Sequence, residues 1–275
     1  MYTQLQNRDS GHPPITLSTL AQMRASGEKI ACLTAYDASF AALVDAAGVD
    51  LVLAGDSLGM VIQGHDTTVP VTMDQMAYHS RAVARGLQRA FLVTDLPFMS
   101  YATREQALAN SVRLMQEGGA SMVKLESGGT QLEIVEFLAR HDIAVCAHLG
   151  LKPQSVHKTG GFRVQGRERS AAEHMLADAR ALESAGADLL LLECIPATLG
   201  REITAGVHVP VIGIGAGPDT DGQILVLYDI LDITSGRKPR FVRNFTIEGG
   251  DCAAAVRRYV AAVKSRAYPA AEHCF

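Results

Sequence analysis

Apolar residues in this chain cluster in short unbroken runs, and longer stretches of helical periodicity separate them. Residues 29–35, 50–54, 90–94, 121–125, 143–147 and 188–192 are such runs, and 209–217 adds a seventh that ends in a glycine turn. Runs of this length without polar alternation predict strands buried on both faces. Residues 72–85, 103–117, 130–140, 170–185 and 251–266 carry helical spacing, with Gly or Pro between the units. Strands alternating with helices predict a parallel sheet. Seven or eight such units predict a closed (β/α)8 barrel spanning residues 1–275 as one domain. Residues 223–231 admit either strand eight or a helix.

Local signals mark several boundaries. Asp37 is placed to cap the Ala-rich helix that follows, and Gly48 to end it. Thr103 and Gln106 form a capping-box pattern. A short helix from Thr16 reads as an ordinary surface helix rather than a plug for the barrel. A polar arm, residues 1–14, and a tail, 267–275, are expected to be loose. Residues 150–169 form a long, basic, Gly-rich excursion, a length usually tied to function, and are a candidate lid.

Composition narrows the classes. A hydrophobic fraction of 48% over 275 residues supplies a large core and leaves material for a subunit interface. The formal charge of −4 gives no reason to expect nucleic acid or an anionic membrane as partner. No apolar run approaches the roughly 20 residues of a membrane span. No apolar stretch follows a basic start, so no secretory signal is expected. The five cysteines lack a Cys-x-x-Cys pair. They read as reduced thiols of a cytoplasmic protein.

The chemistry-bearing residues sit where the apolar runs stop. Asp56, Asp95, Glu126 and Glu193 each close or follow a run, and His148 closes a fifth. In a barrel these ends share one face, where active sites are found. Asp56, Asp95 and Glu126 follow successive strands, so they are neighbours on the rim. Three converging carboxylates repel one another unless a cation joins them, and all-oxygen ligation suits Mg²⁺. Lys124 shares its strand face with Glu126 by period-two geometry. There it neutralises the acids or meets a substrate anion, with Ser57 as a second donor to that anion. Glu193, away from the three acids in the ring, suits a general base. His148 is a ligand, an orienter or a core histidine. Gly213-Ile-Gly-Ala-Gly217 is either a phosphate loop or a closely packed turn.

Eight motifs in order carry a resemblance. They are Thr34-Ala-Tyr-Asp37, Gly55-Asp-Ser-Leu-Gly-Met60, Thr94-Asp-Leu-Pro97, Val123-Lys-Leu-Glu126, Ala147-His-Leu-Gly-Leu151, Gly160-Gly-Phe-Arg-Val-Gln-Gly-Arg167, Leu192-Glu-Cys194 and Gly213-Ile-Gly-Ala-Gly217. Together they make the chain resemble the ketopantoate hydroxymethyltransferase family. The resemblance implies a barrel of the phosphoenolpyruvate/pyruvate-type superfamily. It implies transfer of a hydroxymethyl group from 5,10-methylenetetrahydrofolate to 3-methyl-2-oxobutanoate, through an enolate whose charge Mg²⁺ offsets. Carried over motif by motif, Asp56, Asp95 and Glu126 are metal-site residues. Asp56, Ser57, Asp95 and Lys124 contact the oxo acid, and Glu193 is the catalytic base. A homo-oligomer is implied too, with decamers among bacterial relatives. The competing reading is another Mg²⁺-dependent 2-oxo acid lyase or aldolase. A barrel that only binds a metabolite has no use for Glu193.

Overall fold

The computed structural model describes residues 13–236 and 238–275. Eight parallel strands close into a barrel in chain order. They are β1 (Ile30–Thr34), β2 (Leu51–Ala54), β3 (Phe91–Asp95), β4 (Met122–Glu126), β5 (Val145–Gly150), β6 (Leu189–Glu193), β7 (Val211–Ile214) and β8 (Gly222–Leu225). β1 pairs with β2 on one side and β8 on the other, so no strand edge is left open. Side chains alternate between two environments. Ile30, Cys32, Leu53, Val93, Leu191 and Ile224 fill the barrel interior as one cluster. Their neighbours, such as Leu33, Val52, Leu125 and Leu192, pack outward under the helices. Burial on both faces is why the strands read as unbroken apolar runs.

The boundary signals hold at most positions. Asp37 accepts from the N–H groups of Ser39 and Phe40 and starts the helix Ala38–Ala46. Thr72 and Gln75 cap the helix Met73–Gly86 reciprocally. Thr103 forms half of its expected box. It caps Gln106, but the Gln106 side chain accepts from Ala102 instead. Of the segment that admitted either strand eight or a helix, the strand takes the start, Gly222–Leu225. Its first residue is Gly222, where a Cβ would stand 2.5 Å from the Ile30 carbonyl oxygen. Gln223 is buried with its amide donating to Gly217 O and Thr220 Oγ1, so it hides the apolar signature of the strand. Leu227 then opens a four-residue helix, Leu227–Ile230.

Two expectations are overturned. The helix Leu17–Ser26 is not a surface helix. Leu20 and Met23 pack into the interior cluster and close the bottom of the barrel. Arg24 fastens the helix there, pairing with Asp221 and donating to the carbonyls of Thr204, Val207 and Val209. The tail does not fray either. Tyr268 is buried and donates to Phe241 O, and the Phe275 carbonyl accepts from Ala197 N at 3.1 Å. The expected loose arm lies outside the described residues, apart from 13 and 14. All five cysteines are free thiols, three of them buried. Among the described residues no helix is long and apolar enough to cross a membrane.

Candidate active site

The strand parity that packs the barrel also aims its polar ends. Val93 and Asp95, Met122, Lys124 and Glu126, Cys146 and His148, and Leu191 and Glu193 lie at spacings of two. The lower members fill the interior, so the upper ones face the mouth. Asp56 lies beyond the end of β2, and a turn places it rather than parity. Gly55 makes that turn possible, since a Cβ there would stand 2.9 Å from Ser57 Oγ and 3.4 Å from Asp95 Oδ2.

Asp95 is the hub. Its Oδ2 accepts from the Asp56 backbone N–H at 3.0 Å, and its Oδ1 pairs with Lys124 Nζ at 2.6 Å. Both side chains of the pair are buried. Burial opposes the Lys124 charge, but Asp95 and Asp56 outweigh it and hold the ammonium above its ordinary pKa. The neutralising role considered for Lys124 is therefore present in the geometry. Ser57 Oγ stands 2.8 Å from the Tyr36 hydroxyl.

Glu126 accepts from Gln154 N–H at 2.9 Å through Oε1, while its Oε2 is buried with no hydrogen-bond partner. Burial, then the charge of Asp56, pushes Glu126 up to about 9. Burial, then Asp95, pushes Asp56 up to about 7. Among the described residues, no three His, Cys, Asp or Glu side chains are gathered closely enough to hold a metal ion. The three expected carboxylates are thus not drawn onto one point; Lys124 pairs with Asp95, and the Gln154 amide donates to Asp56 Oδ2 at 2.8 Å. The orphaned Glu126 oxygen still fits Mg²⁺, which takes one or two carboxylates and keeps positions for water and substrate. Oxygen donors alone also disfavour softer metals.

Glu193 closes β6, and burial pushes it up to about 7. It is not a helix cap, because the helix Ala197–Gly206 begins at Pro196 without a side-chain cap. Instead its Oε2 stands 3.3 Å from His148 Nε2. His148 Nδ1 lies 3.5 Å from Lys124 Nζ. Lysine only donates, so Nδ1 accepts and the ring proton sits on Nε2, facing Glu193. Burial and the Lys124 charge hold His148 well below its ordinary pKa, hence neutral.

Sequence reading missed Gln154, Tyr36 and Tyr101. The Gln154 amide also donates to Leu96 O at 3.0 Å, and Tyr101 donates to Gln154 Oε1 at 2.5 Å. Tyr36 follows the end of β1, so the polar-residue-at-strand-end signal was there to be used. Gln154 carried no such signal, since it belongs to the long excursion after β5. That excursion runs through a short helix, Val156–Thr159, to an anchor where Gln165 N–H donates to Cys194 O at 2.8 Å. The glycines after β7 serve close packing. A Cβ at Gly215 would stand 2.7 Å from Phe241, and one at Gly217 2.5 Å from Ala197.

A family model described as ketopantoate hydroxymethyltransferase matches residues 14–271. The chain belongs to this family. Among its relatives, the 3-methyl-2-oxobutanoate hydroxymethyltransferase of Alkalilimnicola ehrlichii is 61% identical over 262 residues, covering 95% of each chain. That of Halorhodospira halophila is 59% identical over 261 residues, covering 95% of this chain and 94% of its own. Solved structures show the same fold at low identity. 2,3-Dimethylmalate lyase, a member of the PEP mutase/isocitrate lyase superfamily, superposes with a TM-score of 0.56 at 17% identity, covering 76% of this chain and 80% of its own. Phosphonopyruvate hydrolase, solved with oxalate and Mg²⁺, gives 0.56 at 18% identity over the same shares. The barrel fold is therefore shared with enzymes of low sequence identity.

Proposed function

We propose that this chain transfers a hydroxymethyl group from 5,10-methylenetetrahydrofolate to 3-methyl-2-oxobutanoate, giving 2-dehydropantoate, the first step of pantothenate synthesis. The observation that carries this reading is Glu193. It is a carboxylate at the barrel mouth with a pKa raised to about 7, one oxygen facing a neutral histidine. A base near neutrality is what removal of a carbon-bound proton needs. The names of similar relatives support the oxo acid and the transferred hydroxymethyl group.

Asp56, Asp95 and Glu126 are the residues to hold Mg²⁺, and the Mg²⁺-containing structure of phosphonopyruvate hydrolase supports that choice of ion. When bound, the ion supplies Lewis-acid polarisation of the oxo acid's oxygens. Asp56, Ser57, Asp95 and Lys124 orient the oxo acid. Lys124 brings a permanent positive charge toward the oxygen on which charge develops. Ser57 can donate to the substrate carboxylate while accepting from Tyr36. Glu193 takes the proton from the branched carbon, and that carbon attacks the one-carbon unit. Neutral His148 leaves Glu193 free to accept the proton. The chain acts as a homo-oligomer in the cytoplasm.

The test is deuterium exchange into 3-methyl-2-oxobutanoate, followed by NMR with Mg²⁺ or chelator, then with methylenetetrahydrofolate. Metal-dependent exchange followed by 2-dehydropantoate is expected. Exchange without product moves the function to a lyase or aldolase of the same fold. Glu193→Gln should bind the oxo acid yet exchange about 100-fold more slowly. Wild-type exchange in that variant removes Glu193 from the mechanism.

A further inference from the structure

A cleft of about 220 Å³ opens among the segments that follow β3, β4 and β5, and of its lining residues the oxo-acid chemistry uses Glu126 alone. Its lining includes Glu126, one of the three acids, and Gln154, which donates to Glu126 and Asp56. A molecule lying in the cleft therefore borders the reacting centre. Other parts of the lining are apolar and open to solvent. Phe98 is 42% exposed and Met99 57%, with Ile134 beside them in the lining. Met99 holds φ 60, the left-handed region that a residue with a side chain adopts at a cost. Lys152 is the one cation among the lining residues, and its Nζ stands 3.5 Å from Ser127 O.

These features match the second substrate and not the first. A small branched oxo acid needs charge and hydrogen bonds, which Lys124 and the acids already supply. An exposed phenyl ring and a thioether suit a flat heteroaromatic ring. Pockets that enclose a drug-sized ligand run from roughly 300 Å³ upward, so this cleft takes one end of a larger molecule and leaves the rest outside. A folate has that form, with a bicyclic ring at one end and carboxylates at the other. Resting on the function proposed above, we infer that this cleft binds the one-carbon donor. The reduced pterin ring packs on Phe98 and Met99 beside Glu126, and Lys152 attracts the anionic tail.

Steady-state kinetics with each substrate varied in turn test this on wild-type protein, Phe98→Ala and Lys152→Gln. Each variant should raise KM for methylenetetrahydrofolate about tenfold, the loss of one good contact, while KM for the oxo acid moves less than about twofold. Calorimetric titration with tetrahydrofolate should show the same loss, and Phe98→Leu should restore part of the affinity. An unchanged folate KM, or equal rises for both substrates, overturns the inference. So does a changed sedimentation coefficient with unchanged KM, which makes Phe98 and Met99 a subunit contact. If wild-type protein forms no product from folate and oxo acid, the functional reading itself fails, and this inference with it.

Discussion

The Asp95 carboxylate joins three parts of the site, and its fate follows Lys124. Removing one partner of a buried pair leaves a bare charge, at a cost of about 3–5 kcal/mol. Lys124→Ala should therefore lower the unfolding free energy by that order as well as weaken oxo-acid binding, read by denaturant titration and by calorimetry. Unchanged stability would mean that water reaches Asp95, and unchanged affinity that Lys124 does not meet the substrate anion. Glu193 makes a second prediction. A base with a pKa near 7 is protonated below that value, so exchange at low oxo-acid concentration should fall as pH drops through about 7. His148→Leu removes the N–H that faces the Glu193 anion, which raises the carboxyl pKa further. The acidic limb should move to higher pH in this variant, and an unmoved limb makes His148 a core filler.

Strand ends were legible because a run of apolar residues stopping at an acid is a strong local signal. Period two then predicted correctly that Lys124 and Glu126 share a face. The helix Leu17–Ser26 was misread for the opposite reason. Of its ten residues, Leu20 and Met23 are the buried ones, too few to draw an apolar stripe. What makes it a plug is the open end of the barrel, which leaves Leu20 fully buried against residues far along the chain. Leu20→Ala should cost about 2–5 kcal/mol, the range for deleting a buried leucine side chain. A loss under about 0.5 kcal/mol in a thermal or denaturant melt would return the helix to the surface. Strand eight was blurred because Gly222 and Gln223 are chosen by a close approach and by a buried amide network, neither of which shows as hydropathy.

Closing the ring is what turns scattered acids into a site. Asp56 and Glu193 are separated by about half of the chain, yet closure sets both at one mouth around Lys124, and burial raises the pKa of both. A cation that binds this arrangement and not the unfolded chain must stabilise the fold, by about 2.7 kcal/mol at a hundredfold excess over Kd. Mg²⁺ should thus raise the melting temperature over chelated protein, and Asp56→Asn should abolish most of the rise. Equal melting with and without Mg²⁺ at millimolar concentration would remove the metal from Asp56, Asp95 and Glu126. The tail belongs to the same argument, since Tyr268 and Phe275 pack where β7 and its glycine turn need covering.

The sequence by itself determined the order of the first seven strands and the helices between them, the barrel and the acids at the strand ends. Each of these depends on neighbours within a few residues, through burial parity, caps and breaks. Only the tertiary structure decided which groups meet. Gln154 spans Asp56 and Glu126 from a loop whose path no local rule sets. The tautomer of His148 follows from Lys124 on the adjacent strand and from Glu193 across the next. The cleft beside Glu126 exists because three loops end side by side. Contacts of this kind depend on distances between strands, and a one-dimensional pattern carries no such distances.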